Sequence, residues 1–288
     1  MSIGKNFIGP FQLLRLIRSG TTTAVWEAKR INEKERIALK VLLNDFRTDK
    51  DEIGQLKHEA MVGAFVNHPN VIKIFDYHED QGFPLVSMQL YQARNLKIEI
   101  RERPEVLGEN MGIVMRAAAE GLAHLHDVGW IHCDIKPDNY LVDEQANVKL
   151  IDFSIAVKDK KKGFLGLGSN KAKTIQGTRS YISPEQIRRQ HLDFRADIYG
   201  FGCMLFEMMS GKTPYNAASP EQLLSKHLSA PIPNLLSVSG ASKDFAALVR
   251  MMLAKDPDKR IQTMRDFINE LDKIQIYRHS MRPKNFRR

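Results

Sequence analysis

The first ninety residues alternate short strand-like runs with one helical segment. β-branched and apolar residues are concentrated in the runs 11–17, 24–29, 36–42, 71–77 and 85–90. Between the third and fourth runs, residues 51–66 carry apolar side chains at helical spacing, and His68-Pro69-Asn70 ends that pattern. This part of the chain is therefore predicted to be a set of strands around one helix.

The pattern becomes mainly helical from residue 105 onward. Helical periodicity covers residues 105–126, 196–209, 221–228, 242–253 and 264–274, with short alternating pieces around Ile131, at 140–142 and at 148–151. The predicted fold class is α+β with two lobes, a small strand-rich N-lobe (about 1–91) and a larger helical C-lobe (about 92–276). Residues 277–288 form a basic C-terminal tail, and no internal repeat is visible.

The composition is that of an ordinary globular protein. The 288 residues are 43% hydrophobic and 27% charged, which excludes disordered, collagen-like and low-complexity classes. The two cysteines, Cys133 and Cys203, are too few for a disulfide framework or a zinc site and indicate a reducing, cytoplasmic compartment. The longest apolar stretch, 198–209, is shorter than the ~20 residues of a transmembrane helix. Residues 1–11 lack the apolar segment of a secretory signal.

The formal charge of +9 comes from two segments. Taken alone, it is compatible with nucleic acid, anionic lipid, a phosphorylated ligand or simple solubility. Residues 158–173 hold six lysines and one aspartate, and residues 277–288 hold five basic residues and no acidic one, so the remainder carries −1. We therefore expect no nucleic-acid partner. We expect either an acidic or phosphorylated partner at the lysine-rich loop or an anionic surface at the tail. The oligomeric state is not predicted.

The candidate chemistry lies in residues 131–139 and 148–154. Asp134, Lys136 and Asn139 share one short loop, and Asp152 follows a second apolar run. Phosphoryl transfer needs oxygen ligands for magnesium, a carboxylate that accepts the proton of a hydroxyl substrate, and a cation near the phosphates. These residue types supply all three requirements.

A lysine within an apolar strand is a further candidate. Lys40 follows Ala38-Leu39, and a buried ammonium group requires a charged partner. Glu59, on the helix that follows, is the predicted partner.

With these motifs, the chain resembles the eukaryotic-type Ser/Thr protein kinases over about residues 11–267, in the motif order of that family. The resemblance implies a two-lobed protein-kinase-like fold that binds ATP and Mg²⁺ between its lobes. It implies transfer of the γ-phosphate of ATP to Ser/Thr hydroxyls of a protein substrate.

The resemblance also implies roles for individual residues. Lys40 matches the lysine that holds the α- and β-phosphates, and Glu59 its helix partner. Asp134 matches the catalytic base, and Lys136 the lysine that steadies the γ-phosphate. Asn139 and Asp152 match the magnesium ligands. The residues matching the nucleotide pocket are Ile17, Gly20, Val25, Ala38, Met88 at the gatekeeper position, Gln89, Tyr91 and Leu141.

Three further matches concern the frame of the site. Residues 177–185 resemble the end of an activation segment, which makes 158–173 part of that segment. Glu185 is expected to pair with Arg260. Asp197 is expected to anchor the catalytic loop from a central helix.

The sequence departs from the family pattern at three places. In the glycine-rich loop only Gly20 keeps its place, so we expect a stiffer and bulkier loop, and its effect on nucleotide affinity is not predicted. Cys133 stands where many kinases have a phosphate-binding arginine, so we expect activation without that switch; Ser169 and Thr174 are the candidate phosphorylation sites. Ser154 replaces a glycine after Asp152-Phe153, which restricts the backbone there.

Two alternatives remain open at this point. The altered glycine-rich loop favours a pseudokinase scaffold with weak nucleotide binding. A small-molecule phosphotransferase on a related fold lacks a segment ending in Pro-Glu, which this chain has at Pro184-Glu185.

Overall fold

The computed structural model describes residues 6–159 and 176–278 of the chain. They fall into two compact units. The first unit contains the described residues up to Gln92 together with Asp152–Ser154, and the second unit contains the rest. No helix in the described ranges is both long and apolar enough to cross a membrane. Lys160 to Lys162, Ser169, Thr174 and the tail beyond Arg278 lie outside these ranges.

The first unit is built on an antiparallel six-stranded sheet. Its strands are β1 (Phe7–Ile8), β2 (Phe11–Ser19), β3 (Thr23–Arg30), β4 (Arg36–Leu42), β5 (Ile74–Asp80) and β6 (Phe83–Gln89), in the order β1-β2-β3-β4-β6-β5. Leu39 and Val41 on β4 belong to a buried apolar cluster with Phe11, Ala28 and Leu85. Because side chains alternate along a strand, Ala38 and Lys40 lie on the opposite face of β4.

One helix, α1 (Lys50–Gly63), packs in the first unit. The carboxylate of Asp49 caps it by accepting hydrogen bonds from the backbone N–H groups of Asp51 and Glu52. The buried residues Leu56, Glu59, Val62 and Gly63 recur every three or four positions and so form one stripe. Glu59 is therefore buried because the helical repeat puts it on the packed face.

The second unit is mainly helical. Its helices are α2 (Leu96–Glu102), α3 (Pro104–Glu109), α4 (Met111–Asp127), α5 (Pro184–Ile187), α6 (Arg195–Ser210), α7 (Pro220–Ser229), α8 (Leu235–Val238), α9 (Lys243–Met252) and α10 (Met264–Leu271). Its short strands are β7 (Arg94–Asn95), β8 (Trp130–Ile131), β9 (Tyr140–Val142), β10 (Val148–Leu150) and β11 (Val157–Lys158). Residues 196–208 of α6 are all buried, so this helix forms the centre of the unit. The predicted two-lobed α+β class is confirmed.

Several element boundaries differ from the sequence prediction. The helix predicted at 105–126 is two helices, because the backbone turns at Asn110, whose side-chain amide donates to the carbonyl of Val106 (3.2 Å). Helix α2 was not predicted. The strand predicted at 71–77 starts at Ile74, although Val71 and Ile72 are buried. A run of apolar residues indicates that a segment is buried, but it does not determine the residue at which pairing with a neighbouring strand begins.

Candidate active site

Lys40, Glu59 and Asp152 form an ionic cluster in the first unit. The Lys40 ammonium lies 2.7 Å from Glu59 Oε2 and 3.3 Å from Asp152 Oδ1. Burial disfavours the charged ammonium, but the two carboxylates outweigh that effect and raise the pKa of Lys40. Lys40 is therefore a permanent cation at physiological pH. The predicted pairing of Lys40 with Glu59 is confirmed.

The cluster continues into an apolar surface on the same face of the sheet. In the antiparallel register Val25 on β3 lies opposite Lys40, and Met88 on β6 lies opposite Ala38. Residues directly opposite each other share a face, as do Ala38 and Lys40 at alternate positions. Val25, Ala38, Lys40 and Met88 therefore occupy one face, opposite the face of the apolar cluster that contains Leu39.

The other nucleotide-pocket candidates lie at the margins of that sheet or elsewhere. Ile17 sits at a bulge in β2. Gly20 closes the β2–β3 hairpin through a hydrogen bond from its N–H to the carbonyl of Thr23 (2.8 Å). Gln89 ends β6, and Tyr91 follows it in the first unit. Leu141 belongs to the second unit, on the central strand of the small β10-β9-β7 sheet.

Asp134, Lys136 and Asn139 converge in the second unit. The Lys136 ammonium donates to Asp134 Oδ2 (2.6 Å). The Asn139 amide nitrogen donates to the Asp134 carbonyl (2.9 Å) and, at 3.3 Å, to the same carboxylate oxygen. Among the residues that the structure describes, the side-chain contacts of Asn139 use its nitrogen, so its side-chain oxygen is the atom that can hold a cation.

Thr178 belongs to this cluster and was not among the predicted site residues. Its backbone N–H donates to Asp134 Oδ1 (2.7 Å), and its hydroxyl accepts from Lys136 (2.8 Å). Both oxygens of the Asp134 carboxylate are thereby fixed by donors. The sequence pointed to Thr178 only through its position in residues 177–185, which resemble the last part of an activation segment.

Asp197 on α6 holds the backbone of the Asp134 loop. Its carboxylate accepts hydrogen bonds from the N–H groups of His132 (2.7 Å) and Cys133 (2.8 Å), and it lies 2.9 Å from His126 Nε2. Cys133 has a φ of 67°, a left-handed conformation that costs free energy in a residue other than glycine. The two hydrogen bonds to a buried carboxylate stabilise that conformation, so the predicted anchoring by Asp197 is observed.

Gly177 allows Thr178 to approach Asp134. It has a φ of 101°, and a Cβ at this position would lie 2.8 Å from the carbonyl oxygen of Cys133. Both the backbone conformation and the lack of space require glycine here. The contact between Thr178 and Asp134 therefore depends on the residue before Thr178.

The thiol of Cys133 is enclosed in apolar surroundings. It packs in a buried cluster with Ile131, Leu192 and Ala196. Burial raises the pKa of this thiol, and the nearby charge of Asp197 raises it further. A buried neutral thiol thus occupies the position that, by the family resemblance, corresponds to a phosphate-binding arginine in many kinases.

Glu185 and Arg260 form a second buried ion pair in the second unit. Arg260 donates to both carboxylate oxygens of Glu185, at 2.6 and 2.9 Å. Its three remaining N–H groups donate to the carbonyls of Arg195, Ala254 and Lys255. The predicted pairing is confirmed, and all five donors of the guanidinium are used.

A further ionic cluster flanks Thr178 in the second unit. The buried carboxylate of Glu207 on α6 accepts from the Lys97 ammonium and from the Tyr181 hydroxyl (2.5 Å). Lys97 also lies 3.2 Å from the Tyr181 hydroxyl and is 42% exposed. The Tyr181 N–H donates to the carbonyl of Thr178 (2.9 Å). The ammonium of Lys97 therefore neutralises the carboxylate of Glu207, which in turn holds Tyr181, three residues after Thr178.

Comparison with known proteins agrees with this geometry. Residues 11–270 match the model of the protein kinase domain family. The chain belongs to the protein kinase domain family. The resemblance seen in its motifs is confirmed, and so is the kinase-like fold.

The curated relatives of this kinase domain are named serine/threonine-protein kinases. It is 29% identical over 267 residues to PrkC of Bacillus subtilis, covering 92% of this chain and 40% of the relative. It is 31% identical over 265 residues to PknH of Mycobacterium tuberculosis, covering 92% of this chain and 41% of the relative. It is 30% identical over 272 residues to pkn2 of Myxococcus xanthus, covering 91% of this chain and 32% of the relative. The chain thus spans about two fifths or less of the length of these proteins.

Proposed function

We propose that this chain is an ATP-dependent Ser/Thr protein kinase that transfers the γ-phosphate of ATP to Ser/Thr hydroxyls of proteins. The observation that carries the proposal is the fixed carboxylate of Asp134, which Thr178 N–H and Lys136 hold at 2.7 and 2.6 Å. A carboxylate held in this way can orient a substrate hydroxyl and accept its proton. Asp134 is the proposed catalytic base.

Lys136 has the proposed role of stabilising the transferred phosphoryl group. Its ammonium is fixed by Asp134 and by the Thr178 hydroxyl, so its position is set before a substrate arrives. A pre-positioned cation stabilises negative charge that develops on the phosphoryl oxygens.

Lys40 is proposed to hold the α- and β-phosphates, with Glu59 as its positioning residue. Val25, Ala38 and Met88, which share one face of the sheet, are proposed to offer an apolar surface for the adenine ring. For Leu141, in the second unit, the nucleotide-binding role implied by the family resemblance stays a prediction. The backbones of Gln89 and Tyr91 are proposed to contact the adenine edge, and Ile17 and Gly20 to border the nucleotide.

Asn139 and Asp152 are the proposed magnesium ligands. In the first unit, the two carboxylates of Glu59 and Asp152 face the single ammonium of Lys40, an excess of one negative charge. The Asp152 side chain is 36% exposed, so its carboxylate is open to a cation. Amide and carboxylate oxygens are donors that Mg²⁺ prefers, and Mg²⁺ takes its other ligands from water and phosphate. When bound, Mg²⁺ neutralises charge on the phosphates.

The proposed substrates are acidic or phosphorylated proteins. This proposal is supported by the charge of residues 158–173, which hold six lysines and one aspartate. The lysines 160–162, from which the same preference was predicted, lie outside the described residues. A cytoplasmic location, predicted from the cysteine content, stays a prediction.

The test is the transfer of labelled γ-phosphate from ATP and Mg²⁺ to a Ser/Thr protein substrate and to matched acidic and basic peptides. We expect transfer by the wild type, with faster transfer to the acidic peptide. We expect a loss of about a hundredfold or more in Asp134→Asn, because a general base contributes about 10²–10⁴ in rate. The thermal midpoint of the variant serves as the folding control.

The pseudokinase remains the competing function, and the hairpin at Gly20 is the feature that favours it. Nucleotide binding by the wild type without transfer to any substrate would establish the pseudokinase and refute the proposal. A faster reaction with the basic peptide would refute only the substrate class.

A further inference from the structure

The second unit contains an open cavity that the proposed catalytic chemistry does not use. Its volume is about 310 Å³, and its walls come from α2, α3, α4 and the turn between β9 and β10. The lining combines apolar side chains (Val106, Leu107, Val114, Val142 and Ala146) with polar ones (Glu99, Arg103, Asn110, Asp143 and Glu144). It is large enough for an aromatic side chain.

The surface around the cavity is acidic. Residues 99–110 and 142–146 carry six carboxylates and two arginines, a net charge of −4. Of the cavity's own charged groups, Arg103 is paired with the buried carboxylate of Glu99 through two hydrogen bonds (3.0 and 3.1 Å). Glu105, Glu109 and Glu144 are exposed to solvent. A ligand for this surface should therefore combine an apolar group with positive charge.

The described chain ends beside this surface. The Tyr277 hydroxyl donates to the carbonyl of Gly108 (3.1 Å), and Gly108 directly follows the lining residue Leu107. Ile276 approaches Gly112 on the next helix, with its Cδ1 3.2 Å from where a Cβ of Gly112 would lie. The chain therefore passes the junction of α3 and α4 just before residue 279.

The ten residues that follow have the matching chemistry. Residues 279–288 contain Arg282, Lys284, Arg287 and Arg288, no carboxylate, and one aromatic residue, Phe286. Their net charge of +4 is equal in size and opposite in sign to the net charge of −4 on the surface around the cavity. Ten extended residues can span about 33 Å. Tyr277 already contacts Gly108 on α3, so this length is enough to reach the cavity beside α3.

We propose that residues 279–288 dock on this surface of their own chain, with Phe286 in the cavity and the basic side chains on the exposed carboxylates. The occupant is this segment because it leaves the described fold beside the cavity and complements its charge. A basic peptide of another protein and a second copy of the chain are the competing occupants.

Disulfide trapping in the full chain tests the proposal. Cys133 and Cys203 are both buried, so they do not compete with introduced cysteines. One variant carries Val106→Cys and Phe286→Cys. Its matched control carries Val238→Cys and Phe286→Cys. Val106 is 46% exposed and Val238 is 53% exposed, and Val238 lies within two residues of the carbonyls that Arg278 binds.

We expect an intramolecular disulfide to form at least fivefold faster in the Val106 pair than in the Val238 pair. Adding Glu105→Lys and Glu144→Lys should slow the Val106 pair to the rate of the control, and adding Glu221→Lys should not. Equal rates in the two pairs would overturn the proposal. A disulfide dimer whose share rises with protein concentration would also overturn it and assign the cavity to a second copy.

Discussion

Two buried ion pairs of nearly equal length serve different ends in this molecule. Lys40 and Glu59 in the first unit are 2.7 Å apart, and Arg260 and Glu185 in the second unit are 2.6 Å apart. Arg260 is completely buried, and every one of its donors is used within the protein. Lys40 has a second carboxylate partner in Asp152, which is open to solvent.

The difference lies in the surroundings of each pair and not in its distance. The Arg260 pair is saturated, so it can only hold α5 to the loops around it. The Lys40 cluster carries an excess negative charge and an accessible carboxylate, so it can accept a cation and a phosphate. Charge balance and accessibility distinguish a structural pair from a candidate functional one.

The largest expected effect is on activity, in Lys40→Met. We expect the rate of phosphate transfer to fall about a hundredfold or more, as it does when a pre-positioned electrostatic group is removed from an active site. The free energy of unfolding should also fall, because the buried carboxylate of Glu59 loses its ammonium partner, as Glu185 does in the Arg260 variant described next. Transfer kinetics and urea denaturation measure the two effects.

The matched control for Lys40→Met is Lys57→Met. Lys57 lies on α1 of the same unit, is 54% exposed and pairs with Glu79 at 3.9 Å. We expect it to keep its activity. Equal losses of activity in the two variants would contradict a specific role for Lys40.

The second expected effect is on stability, in Arg260→Met. Removing one partner of a buried ion pair leaves Glu185 uncompensated, and we expect the free energy of unfolding to fall by about 3–5 kcal/mol. Urea denaturation measures this loss. Arg265→Met is the control, since Arg265 is 68% exposed and pairs with Asp127, and its loss should stay within about 1 kcal/mol. A stable Arg260→Met protein that has lost its activity would reverse the assignment of the two pairs.

The smallest expected effect concerns His227, a buried base that has no acidic partner within residues 6–159 and 176–278. Burial lowers the pKa of His227 to about 4, and the charge of Lys255 adds to that shift. Its Nδ1 lies 2.9 Å from the Tyr199 hydroxyl. Between pH 6.5 and 4 the unfolded histidine binds a proton that the folded one does not, so stability falls as the pH drops through this window.

The predicted contribution of His227 is about 2 kcal/mol at pH 4.5 relative to neutral pH. Denaturation curves at the two pH values, for the wild type and His227→Asn, measure it. Other groups titrate in the same window, so the difference between the two proteins is the relevant quantity. Identical pH dependence in both would show that His227 contributes nothing.

The sequence predicted contacts correctly where a polar or charged residue stood in an apolar segment and few structural roles could account for it. A lysine inside an apolar strand required an anion, and Glu59 was the near helical candidate. Asp134 and Asn139 stood in a loop between apolar runs, so their common location followed from local pattern. Glu185 and Arg260 were paired through the family resemblance.

The parts that could not be predicted depend on long-range packing. Thr178 contacts Asp134 across 44 positions, and Lys97 contacts Glu207 across 110, with no periodicity connecting either pair. The break at Asn110 and the late start of β5 depend on backbone hydrogen bonds, which apolar runs do not record. The cavity of α2, α3 and α4 likewise has no signature in the sequence.

Gly177 has a consequence for how this site can vary between generations. Position 177 has room for hydrogen alone beside the Cys133 carbonyl, and its positive φ also favours glycine. One codon thus constrains the distance between two segments that lie far apart in the gene. Any other residue encoded there would require the Cys133 carbonyl to move, and with it the backbone that leads to Asp134.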